Sequence, residues 1–216
     1  SSKILEATPA ADQRYFYKRS TSEISKTKQK YGITNDYILA LSNLEPRKNL
    51  ETLVDAYCAL PAAYRKNTSL LLVGVSGWKT DKLFSKIVKL VEEGYDIIRP
   101  SKYVSDEDKP AIISGAKILV YPSHYEGFGM PPLEALACGV PVITANNSSL
   151  PEVVGTAGIM LDCNDTQGFT VAMGKYLDKH EQVVRQVQGD GPQQASNFSW
   201  EKSAEVYWDH FLENLK

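Results

Sequence analysis

The sequence predicts an α/β domain built on a doubly wound parallel sheet. Two observations carry that expectation. Its β-rich runs are continuously apolar rather than alternating, as strands covered on both faces of a parallel sheet must be. Helical patterns separate those runs in strict alternation, which yields βαβ units with right-handed crossovers. At 216 residues the chain is long enough to bury one substantial core.

The elements follow in order. Residues 1–36 are polar and helical at best, and read as a connector from a preceding domain; residues 37–216 form the domain proper. The first strand is Tyr37–Ser42, and Leu50, Leu53, Val54 and Tyr57 then recur at helical spacing. Ser69–Gly74 is a second strand, followed by a helix marked by Phe84, Ile87, Val88 and Val91. Asp96–Arg99 is a weaker third strand, with a helix starting after Ser105. Lys117–Tyr121, Val140–Thr144 and Gly158–Leu161 are the fourth to sixth strands, with a helix at Pro132–Cys138. The stretches 166–188 and 199–215 are long and helical, and Trp200, Ala204, Tyr207, Phe211 and Leu215 mark one apolar face of the last.

Composition narrows the function. Lys and Arg number 24 against 26 Asp and Glu, a net charge of −2 that lacks the basic excess of nucleic-acid binders. No apolar run approaches the ~20 residues of a membrane-spanning helix. The three cysteines, Cys58, Cys138 and Cys163, are far apart and make neither a disulfide framework nor a zinc knuckle, which fits a reducing, cytoplasmic setting. The chain opens Ser1-Ser2-Lys3 without methionine and reads as a piece of a longer protein.

Ligands of an open parallel sheet sit beyond the carboxyl ends of its strands. After the first strand comes Leu44-Glu45-Pro46-Arg47-Lys48-Asn49, which sets two cations at the mouth of a helix, where the helix dipole disfavours them unless an anion lies between them. A solvated basic turn is the plain alternative. After the fourth strand comes Glu126-Gly127-Phe128-Gly129-Met130-Pro131-Pro132-Leu133-Glu134. Its glycines let backbone amides approach a ligand, and its prolines start a helix whose N-terminus attracts anions. Glu134 is placed to accept two vicinal ribose hydroxyls, and Glu126 to bind hydroxyls of a second ligand group. Alone, this stretch reads as a Gly/Pro turn with two ordinary acids; together the two strand ends describe a nucleotide-diphosphate site.

These motifs carry a resemblance. From about Tyr37 onward, LEPRKN, LLLVG, the block from Val104-Ser105-Asp106-Glu107 to Ala116-Lys117, EGFGMPPLEALACGVPVITA, LPEVVG and FSWEKSAEVY resemble the C-terminal, donor-binding domain of GT-B-fold retaining glycosyltransferases of group 1 (family 4). The resemblance implies the Rossmann-like half of a GT-B fold. It implies that Arg47 and Lys48 neutralise the donor's diphosphate without a metal or other cofactor, and that Glu134 holds the ribose. Glu126 would bind the sugar and face its anomeric carbon. The amides of Gly127, Phe128, Gly129 and Met130 would contact sugar and phosphates, and Val104 the nucleobase edge. Ser42-Asn43 stands where many members carry Gly-Arg, which passes the arginine's role to Arg47. The implied reaction moves a hexose from a nucleotide-diphosphate sugar, GDP-mannose as first guess, to a glycan or lipid-linked acceptor held by a missing N-terminal domain. The implied setting is the cytoplasm or the inner face of its membrane, with peripheral contact only. The isolated piece would bind donor and turn over poorly. The other class of reading is a non-catalytic nucleotide-binding or interaction module of the same fold.

Look-alikes are set aside on chemistry. Gly74-Val75-Ser76-Gly77-Trp78-Lys79-Thr80 lacks the glycine a phosphate-binding loop needs before its lysine, and is expected to border the pocket or turn the chain. Asp106-Glu107-Asp108 reads as helix capping with Ser105 rather than a metal triplet. His124 reads as packed or surface, and the sequence around His180 and His210 shows no metal-ligand pattern of carboxylates or cysteines. Trp200 and Trp208 are expected in the core or a domain contact.

Overall fold

A computed structural model of the chain describes residues 5–213. Helix α1 (Thr21–Lys30) precedes the sheet, opened by a capping box between Ser20 and Glu23. Then follow β1 (Asp36–Leu41), α2 (Leu50–Cys58), α3 (Ala62–Arg65), β2 (Thr68–Val73), α4 (Asp81–Glu92) and β3 (Ile97–Ile98). The second half runs through α5 (Lys109–Gly115), β4 (Ile118–Tyr121), α6 (Met130–Ala137), β5 (Val142–Ala145), α7 (Leu150–Val154), β6 (Ile159–Leu161), α8 (Thr166–Asp178), α9 (His180–Ala195) and α10 (Trp200–Glu213).

All strand pairs are parallel, in the order β3-β2-β1-β4-β5-β6. The chain winds outward from β1 in one direction, then returns to add β4 on the other side. The order therefore reverses between β1 and β4, and a crevice opens where the loops leaving those two strands diverge. Alternate residues of β1 feed two cores: Tyr37, Leu39 and Leu41 face one side, with α5, α6, α7 and α9, while Ile38 and Ala40 face the other, with α2, α4 and α8.

Residues ahead of the sheet enter the first of these cores through Ala10, Ala11, Tyr31 and Ile33. They are pinned to α5 by Lys18 Nζ donating to the Ser114 carbonyl at 2.6 Å and by the Arg19 amide donating to Ser114 Oγ at 3.0 Å. At the other end of the chain, Ser203 Oγ donates to the Thr8 carbonyl.

Several elements differ from the sequence reading. The helix expected over 166–188 is two, broken at Lys179 and continued to Ala195. Helix α8 packs on α2 through Phe169 and Met173, whereas α9 packs on α6 through Val187 and Ala195. The bend at Lys179 carries the chain round the sheet from one layer to the other, a demand that no local residue announces. The expected apolar face of α10 is not in the core: Trp200, Tyr207, Trp208 and Phe211 are exposed, Trp208 stacked on Phe211 at 6.0 Å, and the side buried is that of Ser203. Leu215 lies outside the described residues. Trp78, on the loop after β2, is exposed as well.

Candidate functional site

The first part of the site lies at the reversal between β1 and β4. Past β1 the chain makes a 3-10 turn, Pro46–Lys48, and then turns through Asn49 at φ 52°, a left-handed conformation that asparagine tolerates well. Asn49 Nδ2 donates to the carbonyls of Pro122 (3.0 Å) and Cys163 (2.7 Å), which ties this turn to the loop beyond β4. Lys48 is thereby buried, and its Nζ donates to Glu126 Oε1 at 2.7 Å and Tyr121 Oη at 2.9 Å. Arg47 Nη1 donates to Glu126 Oε2 at 3.0 Å and the Tyr125 carbonyl at 2.7 Å, and its Nη2 to Glu45 Oε1 at 2.7 Å.

Arg47 and Lys48 precede α2 by a turn, and an anion already lies between them: the buried carboxylate of Glu126. Burial by itself would raise the Glu126 pKa, but the hydrogen bonds from Lys48 and Arg47 outweigh it and hold the carboxyl below its ordinary value. Burial and the nearby Glu126 charge push the Tyr121 phenol up, so it stays protonated.

The loop beyond Glu126 is held from the turn after β5. The Glu126 amide donates to Ser148 Oγ at 3.0 Å, and Ser149 Oγ donates to the carbonyls of Glu126 (3.1 Å) and Phe128 (2.6 Å). Phe128 sets its ring edge-on to Phe198 at 5.3 Å. Gly129 sits at φ 110°, where a Cβ would press Leu150 Cδ2 at 2.8 Å, so this corner requires glycine. Among the described residues none accepts a hydrogen bond from the amides of Gly127, Phe128 or Gly129. They are left as donors at the start of α6.

The second part is a cavity of about 570 Å³ beyond β1 and β2, walled by Ser42, Asn43, Gly74, Val75, Ser76, the loop from Arg99 to Val104, Lys109, Met130 and Glu134. Gly74 lets two strand ends converge here; a Cβ on it would fall 1.8 Å from the Ser42 carbonyl oxygen. Of the residues singled out in the sequence, Val104, Met130 and Glu134 line this cavity. Arg47, Lys48, Glu126, Gly127, Phe128 and Gly129 form the polar cluster from which Met130 leads into it. Burial raises the Glu134 carboxyl to about 7, partly opposed by the charge of Lys109, whose Nζ pairs with Asp106 at 2.6 Å.

Sequence reasoning missed Tyr121, Asn49, Ser148, Ser149 and Arg99. Tyr121 closes the fourth strand, and the last residue of a strand is the one that meets ligands. The polar run Asn146-Asn147-Ser148-Ser149 at the end of β5 was the available signal for the loop supports. The stretch from Gly74 borders the cavity as expected, with Ser76 bridged to Leu44. Ser105 does not cap through an accepted amide; its Oγ donates to Asp108 Oδ2 at 2.9 Å, and Asp108 also receives Lys30 Nζ and, at 2.7 Å, Tyr31 Oη. That acid fastens α1 to the domain. His124 has Nδ1 at 3.4 Å from Cys163 Sγ and does not line the cavity. Among the described residues no three His, Cys, Asp or Glu side chains gather as a metal site.

A family model described as glycosyl transferases group 1 matches residues 23–189. The chain belongs to this family. It is 41% identical over 200 residues to the O-antigen chain mannosyltransferase B of Escherichia coli, covering 91% of this chain and 51% of that protein. It is 32% identical over 222 residues to the serotype-specific mannosyltransferase WbdA of Escherichia coli, covering 100% of this chain and 26% of that one. The chain thus spans about half or less of the length of these curated relatives. The structure of Anabaena Alr3699/HepE in complex with UDP and glucose superposes with a TM-score of 0.79 at 22% identity, over 97% of this chain and 55% of that one. The six-stranded sheet is the Rossmann-like half of a GT-B fold.

Proposed function

We propose that this chain is the donor-binding half of a retaining glycosyltransferase that moves a hexose from a nucleotide-diphosphate sugar to a glycan or lipid-linked acceptor. One observation carries the reading: Arg47 and Lys48 converge on a single buried anion beside a cavity at the sheet's reversal. Two cations that both reach one carboxylate are placed to reach one diphosphate. The donor's phosphates would take over the bonds now made to Glu126, and the amides of Gly127, Phe128 and Gly129 would add donors at the head of α6. Glu126, released, would accept from hydroxyls of the sugar.

As the glycosyl–phosphate bond breaks, negative charge grows on the leaving diphosphate. Fixed cations and oriented amides stabilise that charge more in the transition state than in the ground state, which is what speeds the step. The charge is met by side chains of the protein, without a metal. Glu134 would hold the ribose, and Val104 the edge of the base. The mannosyltransferase names of the relatives support mannose as the sugar, and GDP-mannose as the donor to test first. The acceptor would be held by an N-terminal domain reached through residues 1–36, part of which also packs into this domain's core, and this piece alone would turn over poorly. The enzyme would work in the cytoplasm, at most peripherally on its membrane; no helix among the described residues is long and apolar enough to cross one.

Calorimetric titration of the chain with GDP, UDP, ADP and their sugar conjugates, without metal, tests this. One diphosphate should bind saturably, and Arg47→Ala and Lys48→Ala should each weaken it at least roughly tenfold, the loss of one charge-assisted hydrogen bond being worth about 1.5–3 kcal/mol. Circular dichroism checks folding, because Lys48→Ala leaves Glu126 with one cation and costs about 3 kcal/mol. A folded wild-type chain that binds none of the diphosphates would overturn the donor-site reading in favour of an interaction module.

A further inference from the structure

Arg99 follows β3 and lies on the wall of the cavity. Its guanidinium rests over the Phe84 ring, 4.0 Å from the centroid, and Nη2 donates to Ser76 Oγ at 3.2 Å. These two contacts set the plane of the fork and use one of its five N–H donors. No ion pair among the described residues involves it, and loss of hydration alone lowers its pKa, with no carboxylate acting against that. Its neighbours differ: Arg47 and Lys48 share Glu126, and Lys109 has Asp106. Lys102 also lines the cavity without an ion-pair partner among the described residues, but nothing anchors it. Arg99 is a fixed cation with donors to spare, facing a cavity of ligand size.

Its place in the sheet says which part of a ligand it meets. With the order β3-β2-β1-β4, the end of β3 lies three strand spacings, about 14 Å, from the end of β4 and its charge cluster. A diphosphate held at that cluster sends its nucleoside along the cavity toward Arg99. We infer that Arg99 selects the nucleobase, donating from its fork to adjacent ring acceptors and so favouring guanine over adenine; this rests on the donor-site reading above. Guanine presents two adjacent acceptors, O6 and N7, that a guanidinium fork matches, whereas adenine replaces O6 with the N6 amino donor.

The test is calorimetric titration of the chain with GDP, IDP, ADP and UDP, for the wild type and for Arg99→Met. IDP keeps O6 and N7 but lacks the 2-amino group, which isolates the contact at issue. The wild type should bind GDP and IDP at least roughly tenfold more tightly than ADP, the usual worth of one good base-edge fork. Arg99→Met should bring that ratio close to one while ADP binding changes little. Arg99 is on the surface, so the variant should keep its fold, and its far-UV spectrum should match the wild type. If GDP binds but the ratio survives Arg99→Met, or if all four diphosphates weaken alike, the inference fails and the donor-site reading stands. If no diphosphate binds the folded wild type, both fall.

Discussion

Glu134 is a carboxyl that burial has carried to about 7, so it changes charge within the ordinary working range. The shift has a definite sign for stability. From its ordinary value of 4.5 up to about 7 the folded chain holds the proton more tightly than the unfolded chain. Stability is therefore fullest below pH 4.5 on account of this group and is lost as the pH rises to about 7, by about 3 kcal/mol. Urea unfolding of the wild type and Glu134→Gln between pH 5 and 8 should show the wild type losing stability relative to the variant across that interval; parallel curves would refute it. The residue itself was legible in the sequence, as the acid eight positions past Glu126, because that spacing is local. The company of Glu126 was not. Lys48 and Arg47 reach it across 78 and 79 residues of chain, a proximity created by the pairing of β1 with β4 that no local spacing announces.

Glycines show how an element's position turns on single atoms. Gly74 follows β2 where the backbone of Ser42 crosses, and no rotamer change can make room for a methyl group against a carbonyl oxygen. Gly74→Ala should destabilise the fold by about 3 kcal/mol or more, since either loop must be displaced bodily. At Gly127 a Cβ would meet nothing within 4 Å, and Gly127→Ala should stay within about 0.5 kcal/mol of wild type in the same denaturation series. Comparable losses for the two variants would contradict this account. The strands were legible because a parallel sheet demands continuous apolar runs, and all six fall within two residues of their expected ends. Helix α7 was missed, its five residues being too few to establish a period. The break between α8 and α9 was missed because it answers to the layer each helix covers.

The molecule as a whole joins both faces of one sheet to helices, with the polar cluster and the cavity side by side along its carboxyl edge. That arrangement was legible in outline, since strand–helix alternation fixes which ends of the strands carry loops. What alternation leaves open is which side chains remain uncovered, and α10 shows it: its period announces an apolar face, but burial depends on what packs there. The three tryptophans of the chain, Trp78, Trp200 and Trp208, all have more than half their surface open to solvent. Their indoles are hydrated in the native state, so the folded protein should already emit at the long wavelengths usual for an unfolded chain, and its emission maximum should move only a few nanometres in urea. Far-UV circular dichroism should record the cooperative loss of helix over the same titration. A large red shift of the emission would show that these rings are covered. For anyone following this protein in solution, intrinsic fluorescence is then nearly blind to whether the core is formed.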